Sequence, residues 1–183
     1  MTTESERMPE RAPAATVFLD RDGVLNVDRG YVHRPEDLEW IPGAPEAVAQ
    51  LNRTNFRVVV VTNQSGVARG LYDEAAVRRL HTVMQEQLAE YGAHVDAFYY
   101  CPHHPEGRVP EFAIECDCRK PKTGLLEQAA RDWPIDRARS FLVGDKDGDL
   151  AAAATFGIAG VKFEPARQSL LQVVNEAIRH VRK

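Results

Sequence analysis

Thr16-Val17-Phe18-Leu19-Asp20-Arg21-Asp22-Gly23-Val24-Leu25-Asn26 runs from an apolar segment straight into two aspartates one residue apart. Side chains of a strand alternate between faces, so an extended chain sets Asp20 and Asp22 on one side, and Gly23 frees the backbone to turn beyond them. Two crowded carboxylates repel each other. A divalent cation relieves that repulsion, leaving one carboxylate free to attack phosphorus while its neighbour handles protons. Read alone, the stretch also fits an aspartate-rich turn with Asx hydrogen bonds and no chemistry.

Two further strand ends supply context. Phe56-Arg57-Val58-Val59-Val60-Val61 is a β-branched run, too short to cross a membrane and typical of a strand buried on both faces. It ends in Thr62-Asn63-Gln64-Ser65-Gly66, where a hydroxyl, an amide and a glycine-freed backbone suit phosphate oxygens. Ser140-Phe141-Leu142-Val143-Gly144 likewise leads into Asp145-Lys146-Asp147-Gly148-Asp149. Ligands of open α/β sheets bind outside the carboxyl ends of the strands, so a shared sheet would gather the three loops into one site.

Helical spacing predicts a helix from about residue 44 with Ala47, Val48 and Leu51 buried. A second carries Val77, Leu80, Met84, Leu88 and Tyr91 on its inner face, with Asp73 as cap and Gly92 as stop. Further helices are expected over 123–132 and 150–156, and a last one with Leu170, Leu171, Val174, Ile178 and Val181 inward. Short strands are expected at 97–100 and 160–163. This alternation predicts an α/β fold: a Rossmann-like, mostly parallel sheet of about five strands with helices on both faces and no large cap domain. Residues 23–43 lack helical spacing and read as a flap or hairpin beside the site. Residues 1–14 are charged and proline-punctuated and read as a flexible tail, with 15–183 a single domain.

A net charge of −4 over 183 residues gives no basic footprint for nucleic acid. Local charge can still bind phosphate. No apolar stretch approaches a membrane span and the N-terminus does not read as a signal peptide, so a cytoplasmic protein is expected. Nothing calls for an extended apolar interface, and a monomer is the default.

All three cysteines fall in Cys101-x-His103 and Cys116-x-Cys118. Three thiolates and one imidazole suit tetrahedral zinc, although the spacings are tighter than in zinc fingers. Three inert thiols, or a disulfide disfavoured in a reducing compartment, are the alternatives.

The ordered set Asp20-x-Asp22-Gly23, Thr62, Lys120 in Arg119-Lys120-Pro121, and Gly144-Asp145-x-x-x-Asp149 resembles the four motifs of the haloacid-dehalogenase-like phosphohydrolases. The longer stretches 20–26, 30–32, 61–70, 99–105 and 116–121 resemble the D-glycero-D-manno-heptose 1,7-bisphosphate 7-phosphatases, over about residues 16–163. The resemblance implies that Asp20 attacks the phosphoryl group. Asp22 would protonate the departing sugar oxygen and later activate water, while Thr62 and Lys120 stabilise the transferring oxygens. Mg2+ would be held by Asp20, the Asp22 carbonyl and Asp145, with Asp149 holding a bound water or bracing the loop. Asp28, Arg29, Gly30, Tyr31, Asn63, Gln64, Ser65, Arg119 and Lys146 would contact a sugar bisphosphate, Arg119 gripping the distal phosphate or sugar. A structural zinc would be held by Cys101, His103, Cys116 and Cys118, with His104 as alternative ligand, otherwise exposed. Arg69 reads as a solvated charge. The chain departs from the family after Arg-Lys-Pro, where it has Lys122-Thr123-Gly124-Leu125, so Lys122 competes with Lys120 for the motif's lysine role. Histidinol-phosphate phosphatase is an alternative reading, and a catalytically silent, zinc-stabilised binding protein is one of another class.

Overall fold

Thr16–Leu19 forms β1, and Arg57–Asn63 forms β2, the apolar runs becoming strands as their β-branched content favours. A computed structural model describes residues 12–181 of the chain. The expected tail lies outside the described residues as far as residue 11; Ala14 is already tied down by a parallel bridge to Ile135. Ala97–Cys101 (β3), Phe141–Gly144 (β4) and Ala159–Lys162 (β5) complete a five-stranded sheet of order β3-β2-β1-β4-β5. Every pairing is parallel, so the sheet is wholly, not mostly, parallel among the described strands.

The two-residue alternation of the strands builds two cores. Val17, Leu19, Val58, Val60, Phe141 and Val143 face one side with α1 (Ala44–Arg53), α2 (Glu74–Glu90) and α5 (Leu170–Val181). Phe18, Val59, Val61 and Leu142 face the other with α3 (Gly124–Asp132) and α4 (Asp147–Phe156). Burying each of these side chains is worth about 1.5–3 kcal/mol, so both faces help hold the strand ends in place.

Helix limits follow local chemistry. Asp73 caps α2 by accepting from the Ala76 N–H at 2.7 Å. Tyr91, expected on the inner face, is instead 49% exposed, because it lies beyond the last turn and the chain reverses at Gly92, φ +64°. The fourth helix starts at Asp147, three residues before the expected 150. The reason is Asp149, whose carboxylate accepts from the Lys146 N–H at 3.0 Å and closes the first turn. The 23–43 segment is pinned at its base by an antiparallel bridge between Asn26 and Trp40 and then loops out, as a flap should. Among the described residues no helix is long and apolar enough to cross a membrane.

Candidate active site

The carboxyl ends of β1, β2 and β4 converge, and between them opens a cleft of about 490 Å³. Asp20 follows β1 directly and is nearly buried, and its Nζ partner Lys120 lies at 3.0 Å. Lys120 is equally buried, pairs with Asp149 at 2.6 Å, and donates to the Val61 carbonyl at 2.8 Å. Burial alone would depress the ammonium, but the two carboxylates hold its pKa above the ordinary lysine value. Burial pushes Asp20 up to about 6, against the pull of Lys120 and with the help of the Asp149 and Asp22 charges. Lys122 is out of contention for this place: it is exposed and pairs with Asp117 at 3.3 Å.

Asp20, Asp145 and Asp149 bring one carboxylate oxygen each within 4.8 Å of one another. Burial raises the pKa of Asp145, and its Oδ1 is buried without a hydrogen-bond partner. An orphaned buried carboxylate oxygen beside two others is what a hard divalent cation would satisfy, so the residues fit such an ion. Gly23, at φ +88°, is needed here on two counts: the backbone is left-handed, and a Cβ would collide with the Asp145 carboxylate. Asp22 does not bring its carboxylate to this group, which leaves only its backbone for the ion.

The Asp22 carboxylate faces the cleft from a different set of partners. It accepts from Arg21 Nη2 at 2.9 Å, from Asn26 Nδ2 at 3.0 Å and from Gln64 Nε2 at 2.8 Å. Thr62, at the end of β2, lines the cleft and accepts from Gln64 Nε2 at 2.8 Å. Asn63 clamps the Lys120 backbone from both sides, donating to its carbonyl and accepting from its N–H, each at 3.0 Å.

Asp28, Gly30 and Tyr31 of the flap, Asn63, Gln64 and Ser65, Arg119 and Lys146 all line the cleft. Lys146 reaches across to Asp28 at 3.2 Å. Burial opposes ionisation of Asp28, yet the Gly30 N–H and Lys146 hold its carboxyl below the usual range. Arg29 is the exception: its guanidinium pairs with Glu39 on the surface and does not line the cleft. The segment around it is not a strand, with Gly30 and Tyr31 at positive φ, and the Glu39 carboxylate holds the Arg29 side chain on the outer surface. Arg69, expected to be a solvated charge, is half-buried; its Nε lacks a partner and its NH2 lies 3.4 Å from His104 Nε2. His104 is likewise half-buried rather than exposed.

Residues missed from the sequence are Arg21, His81 and Tyr72. Arg21 is fully buried, and an arginine is almost never so placed without partners. Hydropathy sends it to the surface; the one available signal is that it stands between two carboxylates in an otherwise apolar run.

A second donor group sits where β3 ends. Cys101, His103, Cys116 and Cys118 present four ligand atoms within 4.8 Å of one another, and the three cysteines are free. Cys101 Sγ lies 3.5 Å from Cys116 Sγ and 2.9 Å from Cys118 Sγ, and His103 Nδ1 lies 3.3 Å from Cys118 Sγ. Hydrogen bonding from the Cys101 thiol pulls Cys118 down to about 5. A thiolate amid soft donors fits zinc; the disulfide alternative finds no support, since all three thiols converge on one point. His104 is not in the group.

Residues 17–164 match the family described as polynucleotide kinase 3 phosphatase. The chain is 46% identical over 154 residues to a Rhodopseudomonas palustris protein named D-glycero-beta-D-manno-heptose-1,7-bisphosphate 7-phosphatase, covering 84% of each. A Haemophilus ducreyi protein of the same name is 50% identical over 143 residues, 78% of each. The crystal structure of a D,D-heptose 1,7-bisphosphate phosphatase from B. bronchiseptica, complexed with magnesium and phosphate, superposes with a TM-score of 0.78 at 35% identity, covering 91% of this chain and 99% of that one.

Proposed function

The chain belongs to the D-glycero-beta-D-manno-heptose-1,7-bisphosphate 7-phosphatases of the haloacid-dehalogenase-like phosphatases, and on that premise we propose that it removes the 7-phosphate of this sugar bisphosphate through an aspartyl-phosphate on Asp20. The observation that carries the reading is Asp20 itself: a buried carboxylate at the end of the central strand, paired with a buried lysine at 3.0 Å on the wall of an open cleft.

Asp20 attacks phosphorus and the sugar oxygen leaves. Asp22, on the same wall, enters this step protonated and gives its proton to that oxygen, then, as the carboxylate, takes one back from the water that cleaves the aspartyl-phosphate. Lys120 and the Thr62 hydroxyl stabilise the negative charge that spreads over the transferring oxygens, which is where most of the barrier is removed. A Mg2+ held by Asp20, Asp145 and the Asp22 carbonyl would neutralise phosphate charge and orient it. Asp149 braces Lys120 and the start of α4. Arg119 offers a planar donor fork to the distal phosphate, and Lys146 with Asp28, Gly30 and Tyr31 supports the sugar. A zinc bound by Cys101, His103, Cys116 and Cys118 would be structural, since four protein ligands leave no open position for substrate. The protein would work as a cytoplasmic monomer.

The test is phosphate release with Mg2+ from both anomers of heptose 1,7-bisphosphate and from histidinol phosphate, with Asp20→Asn as blank. Preferential release from one heptose anomer, absent in the variant, is expected. Preference for histidinol phosphate would keep the mechanism and overturn the substrate.

A further inference from the structure

Arg21 has no exposed surface, although it stands between the two aspartates that the phosphatase reading uses. Desolvating a guanidinium costs several kcal/mol unless its donors are met, and here they are met from four directions. Nε and Nη2 reach Asp22 Oδ1 at 3.2 and 3.0 Å, and Nη2 also reaches Asp22 Oδ2 at 2.9 Å. Nη2 further donates to the Val32 carbonyl at 2.7 Å and to Gln64 Oε1 at 3.1 Å. Nη1 lies 3.4 Å from His81 Nε2. Burial, together with the Arg21 charge, drives His81 down to about 3, so its ring is neutral, and facing a group that only donates it must accept through Nε2.

The other side of Asp22 is closed by Asn26 Nδ2 and Gln64 Nε2, and Gln64 is itself oriented by the Tyr72 hydroxyl at 2.8 Å. The Asp22 side chain keeps only 16% of its surface, at the cleft. Rotation of this carboxylate therefore breaks several charge-assisted bonds at once. The flap is tied to the same guanidinium, because Val32 lies just beyond Tyr31.

We propose that Arg21 is a positioning residue for proton transfer: it fixes the Asp22 carboxylate against the cleft and secures the substrate-contacting flap to it at Val32. The inference rests on the reading of Asp22 as the proton donor to the leaving group.

Leaving-group dependence tests it. A sugar phosphate needs a proton on the departing oxygen, whereas p-nitrophenolate leaves without one. The value of kcat/KM, which covers the steps up to leaving-group departure, is measured with heptose 1,7-bisphosphate and with p-nitrophenyl phosphate for wild type, Arg21→Gln, Arg21→Lys and Asp22→Asn. Each pair of rates comes from one preparation, so the folded fraction cancels in their ratio, and Arg21→Lys retains the buried charge should Arg21→Gln not fold. The expected result is a sugar-to-aryl ratio lowered at least about tenfold in the Arg21 variants and further in Asp22→Asn, within the range of general acid catalysis. An equal fall with both substrates in the Arg21 variants, or no fall, overturns the inference while Asp22→Asn still shows the divergence. No divergence in Asp22→Asn overturns the reading of Asp22, and the inference with it.

Discussion

The aspartate group of the cleft and the cysteine–histidine group beyond β3 both lie at the carboxyl end of the sheet, and they would hold cations in opposite ways. Asp20, Asp145 and Asp149 are hard oxygen donors set on strand and helix ends, with an unpartnered Asp145 oxygen and an open cleft beside them. Cys101, His103, Cys116 and Cys118 are four donors that close on themselves, and three of them belong to a segment without regular structure. On the proposed reading, the first group is positioned by the fold and does the chemistry, whereas the second, with its metal bound, would position the loop that carries it. Arg119 and Lys120 follow Cys118 directly, so the loop that the soft donors shape carries a lysine into the hard donors' site, where Asn63 clamps its backbone.

That division of labour can be broken most severely at Lys120. Lys120→Met should lower kcat roughly 10²–10³-fold by removing a charge aimed at the transferring oxygens. It also leaves Asp20 and Asp149 buried without their cation, so urea unfolding should show a loss of about 3–5 kcal/mol. Next comes the closed group. Cys116→Ser should abolish stoichiometric zinc, lower Tm, and cut kcat roughly 10²-fold through misplacement of Lys120. Removing Mg2+ from the wild type should stop turnover while Tm moves little, and that contrast separates the two groups.

A smaller effect distinguishes them by pH. Asp20 in the ion-free protein is raised to about 6, so below that pH a proton competes with the cation for its carboxylate. Mg2+ affinity measured by calorimetry should be flat above about pH 7 and fall about tenfold per unit below 6. The smallest effect is expected at Arg29. Arg29→Ala removes a surface pair with Glu39 that does not line the cleft, so KM should stay within about twofold of wild type.

The fold was legible because period-two apolar runs and period-3.6 stripes encode which face each residue buries, and both cores follow that code residue by residue, as Phe18 does between Val17 and Leu19. The candidate site's carboxylates were legible because three strand ends carry polar residues that a shared sheet gathers, although each loop alone fits an ordinary turn. Tyr91 and the start of α4 were misjudged because a helix limit depends on single contacts, here the Asp149 bond to the Lys146 N–H, that periodicity does not register. Arg21 and His81 were invisible for a related reason. Their burial depends on partners up to 60 residues away, as the 3.4 Å contact between the two shows. Residue type alone argues for the surface.

The most direct test of the account is acid-quenched single turnover with Mg2+ and substrate, followed by peptide mapping by mass spectrometry. The account predicts one transient phosphoryl group on the peptide bearing Asp20, absent in Asp20→Asn. A phosphoryl group on another residue, or turnover that persists in Asp20→Asn, would contradict it.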